Sequence, residues 1–210
     1  MKAKTRLLML TMFIGLTYSC SDAQSAAPDE IKAKGSKTLI VYLSRTGNTK
    51  AVAEMIQSHV GGKLVALELD KPYPKDYQTA VNQVAAENNT GFLPVLKTKI
   101  DSMETFNTIF IGFPTWGMQL PPPIKSFLSN YDFTGKTIIP FNTNAGYGIG
   151  SSFDQVKNLS PNSTVLQGIS FTGGKERDKI YFVMEGRKKM TTNAELSKWL
   201  LRLDAKHLTK

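Results

Sequence analysis

Apolar and polar residues fall into blocks along this chain, and the blocks differ in period. Thr38 to Leu43, Thr108 to Phe113 and Ile138 to Phe141 are short, nearly continuous apolar runs. Runs of that length without alternation read as strands buried on both faces. Lys63 to Leu69 and Thr164 to Phe171 predict two more strands. Between them the period lengthens to that of a helix. Val52, Met55, Ile56 and Val60 share one face after the first run. Ala80, Val81, Val84 and Ala85 suggest a second helix, which Asn88-Asn89-Thr90-Gly91 breaks. Pro122 and Pro123 open a third, with Ile124, Phe127 and Leu128 on its face. After Thr192, Leu196, Trp199, Leu200 and Leu203 line a last one, which makes Trp199 a core residue. Strands separated by helices predict a parallel α/β sheet covered on both faces. No internal repeat interrupts the pattern.

The informative polar residues gather where strands end. Ser44-Arg45-Thr46-Gly47-Asn48-Thr49 follows the first run and leads into the first helix. A helix N-terminus offers unpaired N–H groups and partial positive charge, which stabilise an anion. Ser44, Thr46, Asn48 and Thr49 add donors, and Gly47 lets the backbone bend close to a ligand. Neither a three-glycine dinucleotide fingerprint nor Gly-Lys-Ser/Thr is present. The residues fit a phosphate held by hydroxyls and amides; a simple capped turn is the alternative. Two more strand ends carry Pro114-Thr115-Trp116-Gly117 and Asn142-Thr143-Asn144-Ala145-Gly146-Tyr147-Gly148. Ligands of open parallel sheets bind at such carboxyl ends. One polar cradle and two aromatic loops suit a flat ring with a phosphate tail.

In this combination of loops the chain resembles the flavodoxins, FMN-binding electron carriers, over about residues 37 to 205. The resemblance implies a doubly wound five-stranded parallel sheet of order 2-1-3-4-5, with FMN as cofactor. It assigns Ser44, Thr46, Asn48 and Thr49, with Arg45 and Gly47 in the same loop, to the FMN phosphate. Trp116 and Tyr147 match the aromatic residues that flank the isoalloxazine ring. Pro114, Thr115 and Gly117 fall in the loop at its inner edge, and Asn142, Thr143, Asn144, Ala145 and Gly146 in the loop at its pyrimidine side. Acidic residues common in flavodoxins are replaced by Met118-Gln119-Leu120 and by Asn144, which implies an easier second one-electron reduction. The resemblance implies redox partner proteins or a small electron acceptor. It leaves three function classes: an electron carrier, an FMN-dependent NAD(P)H:quinone-type oxidoreductase, and a flavin-free binding module. The intact hydroxyl loop and both aromatic positions argue against the third. An oxidoreductase needs a roof over the ring, available from the insertion Lys71 to Lys99 or from the basic segment 175 to 189. Tyr73, in Pro72-Tyr73-Pro74, either approaches the flavin edge or packs a loop corner.

Length and charge narrow the picture further. With 210 residues, 41% hydrophobic and 20% charged, the chain is long enough for one well-filled domain. Residues 1–19 read as a signal peptide, with Lys2, Lys4 and Arg6 ahead of an apolar run from Leu7 to Tyr18 that is too short to span a bilayer. Cys20, the sole cysteine, follows directly and resembles the lipidated cysteine of bacterial lipoproteins. Ordinary cleavage within Ala23 to Ala27 is the alternative. Residues 20–36 then read as a tether and 206–210 as a tail. The expectation is an exported protein of the cell envelope or periplasm, held to the membrane through a lipid at Cys20. The formal charge of +9 falls to +6 once the three leader charges are removed. No nucleic-acid motif accompanies this charge, and His59 and His207 have no neighbours in sequence that form a metal or triad pattern.

Overall fold

The apolar runs become the middle of a sheet. In the structure, a computed structural model that describes residues 37–207, Thr38–Tyr42 forms β1 and is buried along its whole length. The elements that follow are α1 (Asn48–Val60), β2 (Lys63–Ala66), α2 (Tyr77–Thr90), β3 (Thr108–Pro114), α3 (Pro122–Asn130), β4 (Thr137–Asn144), α4 (Ser152–Leu159), β5 (Thr164–Val165), β6 (Ile169–Thr172) and α5 (Gly186–His207). Every strand pairing is parallel, and the order β2-β1-β3-β4-β5 is the expected one. Residues 1–19, the tether with Cys20, and residues 208–210 lie outside the described residues.

Two apolar layers hold helices to the sheet. On one face Ile40, Phe110, Ile139 and Phe141 pack against Val52 and Ile56 of α1 and Leu196, Trp199 and Leu200 of α5. Trp199 is buried as expected, and its indole N–H donates to the Gln167 carbonyl at 3.0 Å. On the other face Leu39, Val41, Ile109, Ile111 and Ile138 meet Ile124 and Phe127 of α3, Val156 of α4, and the Leu96–Phe106 segment.

Three elements depart from the sequence pattern. The expected fifth strand is split into β5 and β6, both on β4, with one extra residue inserted between the two pairings. Leu166 and Gly173 donate to Ile138 and Asn144, so the even-numbered positions of β4 face this edge. Pro140 is one of them and has no N–H to give, so the ladder breaks there. The second expected strand stops at Ala66, and Leu69 instead bridges antiparallel to Leu96, closing the insertion back onto the sheet. The last helix begins at Gly186 rather than after Thr192; Arg187 to Met190 all face solvent, so its first turn carries no apolar stripe. It runs on to His207, two residues into the expected tail.

Candidate cofactor site

At the carboxyl end of β1 the chain turns through Gly47, whose φ of 85° only glycine adopts without strain. Among the described residues no side chain caps α1, so its first N–H groups remain open. Beside them Ser44 Oγ is buried with no hydrogen-bond partner among the described residues. An orphaned hydroxyl next to an uncapped helix start is what an anion's oxygens would satisfy, so this loop fits a cofactor phosphate. Thr46 Oγ1 accepts from Asn48 Nδ2 at 2.8 Å, which leaves its own proton for a ligand. Thr49 Oγ1 lies 2.8 Å from Thr143 Oγ1 and joins this loop to the end of β4.

Two residues of the expected cradle have other tasks. The Asn48 amide donates to the Tyr181 carbonyl at 2.6 Å and accepts from Val183 N–H at 3.0 Å. With both of its polar atoms committed to the protein, Asn48 positions the loop and has no side-chain donor left for a phosphate. Arg45 bonds the carboxylate of Glu176 at 2.9 Å through Nε, and the carbonyls of Pro74 and Lys75 at 2.8 and 2.7 Å. Its guanidinium is a clamp between the start of the α2 region and the segment after β6.

A small polar cavity of about 110 Å³ lies at these strand ends. It brings together Arg45, Thr46, Asn48 and Thr49 with Pro114, Thr115, Trp116, Thr143, Asn144 and Ala145. Gly117 borders a larger adjoining cavity of about 410 Å³, and Ser44 a third recess shared with Tyr73 and Trp116. Asn142, Gly146 and Tyr147 border none of these. Asn142 is fully buried; its amide donates to Phe113 O and Thr115 Oγ1 and accepts from Ser170 Oγ, which fixes the inner loop from below. Asn144 Oδ1 accepts from Gly146 and Gly148 N–H, shaping the turn that carries Tyr147. Tyr147 stands outward, 57% exposed, accepting from Arg177 at 2.9 Å with Lys175 Nζ 5.5 Å above its ring.

Trp116 sits on the turn made by Gly117 and Met118, both at φ 58°. Tyr73 packs edge-on against it, ring centroids 5.3 Å apart, and donates to the buried Glu87 carboxylate at 2.5 Å. Tyr73 thus packs a corner and also borders the recess beside Trp116. Burial, and then the Glu87 carboxylate, push the Tyr73 hydroxyl pKa up out of its ordinary range. Lys125 of α3 reaches Asn88 Oδ1 at 2.8 Å and Gln119 Oε1 at 3.0 Å, and burial lowers its pKa.

Sequence reasoning missed Gly173, Gly174, Glu176 and Tyr77, which complete the polar cavity. The two glycines were findable, since they follow a strand as the other site loops do. A Cβ on Gly174 would lie 2.1 Å from the Tyr181 carbonyl. Glu176 was hidden among basic neighbours. Its position matters because it restores a carboxylate to a site expected to lack one, although Arg45 neutralises it.

A parallel α/β sheet with an anion cradle and an indole at adjacent strand ends defines a protein that binds a phosphate-bearing ring cofactor. The chain belongs to the flavodoxin family, whose family model matches residues 37–186. A flavodoxin from Synechocystis sp. is 24% identical over 140 residues, which cover 65% of each chain. Among solved structures, a protein from Bacteroides eggerthii assigned as a flavoprotein is 31% identical, with TM-score 0.60, over 65% of this chain and 89% of its own. A flavoprotein from Lactobacillus acidophilus, solved in complex with FMN, shares the fold at 23% identity and TM-score 0.58, over 70% of this chain and 99% of its own.

Proposed function

We propose that this protein binds FMN and passes electrons between partner proteins or to a small acceptor in the cell envelope. The observation that carries this reading is the uncapped start of α1 beside the orphaned Ser44 hydroxyl, in a flavodoxin-family chain. FMN is the cofactor, and when bound it supplies one- and two-electron redox chemistry. Ser44, Thr46 and Thr49 are the hydroxyl donors for its phosphate, and the helix start supplies the compensating charge. Thr115, held in place by Asn142, and Trp116 receive the ring side. The envelope location is supported by the leader-like residues 1–19 and by Cys20. Titrating the apoprotein with FMN and with riboflavin tests the cradle. A hydrogen bond to a charged group contributes about 1.5–3 kcal/mol, so FMN is expected to bind at least tenfold more tightly. Equal affinities would remove the phosphate from the site.

A second reading, an FMN-dependent oxidoreductase acting on a small acceptor, is favoured by one observation. The larger cavity is walled by α2 and Trp116 and opens beside the polar one.

A further inference from the structure

The cavity of about 410 Å³ between α2 and Trp116 is in the size range of small-molecule sites. One wall is apolar, formed by Tyr77, Ala80, Val81 and Val84 of α2, with Trp116 across from it. Arg45, Tyr77, Thr115, Trp116 and Glu176 border this cavity and the polar one alike, so the two adjoin. Its remaining polar lining includes Asn88 and Gln119.

Lys125 decides how those two amides face. An ammonium group only donates, so both amide oxygens must turn toward it, as the 2.8 and 3.0 Å contacts show. The NH₂ groups of Asn88 and Gln119 find no acceptor among the described residues, and they are the polar atoms these side chains have left for the cavity. Apolar walls with a pair of oriented N–H donors suit a flat ring that carries carbonyl oxygens.

We propose that this cavity is an acceptor site for quinone-class molecules, in which Asn88 and Gln119 recognise the carbonyls and Lys125 is the positioning residue. The proposal rests on the FMN reading for its electrons. The bound quinone takes up two electrons from the reduced cofactor and two protons, which the cofactor gives up on reoxidation or the solvent makes good, and both carbonyls become hydroxyls.

The test uses the full chain with FMN and compares 2,3-dimethyl-1,4-naphthoquinone with 2,3-dimethylnaphthalene, which has the same ring shape and no oxygens. Blocking the ring positions prevents addition to the Cys20 thiol. Binding is followed by tryptophan quenching and equilibrium dialysis, with FMN affinity measured separately. The quinone is expected to bind at least tenfold more tightly than the hydrocarbon, without displacing FMN. Lys125→Met frees both amides to rotate and should reduce that preference severalfold, leaving the hydrocarbon and FMN affinities within twofold. Gln119→Glu keeps the bond to Lys125 but replaces the donor by an acceptor, and should reduce the preference in the same way if Lys125→Met does not fold. Equal binding of the two compounds, an unchanged preference in the folded variants, or release of FMN by the quinone would overturn the proposal. Failure of the chain to bind FMN, with the quinone preference and its loss in the variants intact, would sink the cofactor reading and uphold the cavity's specificity.

Discussion

Ser44 and Asn48 sit four residues apart in one loop, yet their removal should have opposite effects on the apoprotein. Ser44 Oγ is buried without a partner among the described residues, a condition that costs roughly 1–3 kcal/mol. Ser44→Ala is therefore expected to leave the apoprotein as stable as before or more so, while weakening FMN binding about tenfold. Asn48 holds Tyr181 and Val183 through both of its polar atoms. Asn48→Ala should lower apoprotein stability by about 1–3 kcal/mol and loosen the segment that packs Phe182 over Gly47. Thermal unfolding beside FMN titration separates the two outcomes. Tyr73 gives a pH signature. Its pKa is raised in the folded state, so the unfolded chain releases this proton first as pH climbs. Its contribution to stability is intact below the ordinary tyrosine value of about 10 and declines above it. Tyr73→Phe should flatten that alkaline decline, seen in denaturant midpoints at pH 9 to 11; an unchanged slope would assign the decline to other groups, Tyr42 among them.

Elements read most clearly where burial is two-sided. β1, β3 and β4 were legible because strands covered on both faces must be apolar throughout, and their ends then mark the site loops. α4 was not, since it buries only Ser152 and Val156. The split of the edge strand depends on which way Pro140 faces, and that follows only from the pairing register. What joins the two segments expected as a roof, Lys71 to Lys99 and 175 to 189, was hidden for another reason. Arg45 ties them together through side-chain bonds to Glu176 and to the Pro74 and Lys75 carbonyls, contacts that leave no periodic trace. The tightest strand contact was equally silent. A Cβ on Gly112 would lie 2.0 Å from the ring of Phe141 on the neighbouring strand. Gly112→Ala must push that ring out of the α1–α5 layer, an overpacking cost of about 1–3 kcal/mol or more. Chemical denaturation is the measurement, and a loss below about 0.5 kcal/mol would mean that the layer repacks around the methyl group.

For the whole molecule the net positive charge, formally +9 and +6 without residues 1–19, and the neutral Arg45–Glu176 pair act at different ranges. A positive surplus attracts anionic groups from a distance, while the pair itself adds no net charge at the mouth of the site. Attachment through Cys20 is proposed from sequence and predicts a separable defect. The Cys20→Ser chain should move from membrane to soluble fractions with its FMN affinity unchanged; retention in the membrane fraction would refute the anchor. A tethered protein is held at high local concentration beside its own copies, where an open sheet margin becomes a hazard. Here one margin is β2, four residues long, and the other is β5 and β6, two and four residues long and out of step with each other. On the second margin the proline that breaks the ladder thus leaves, among the described residues, no straight edge longer than four residues on which a neighbouring copy can align. For a chain held by the proposed anchor, crowding would then bring copies together without offering a long edge on which to align.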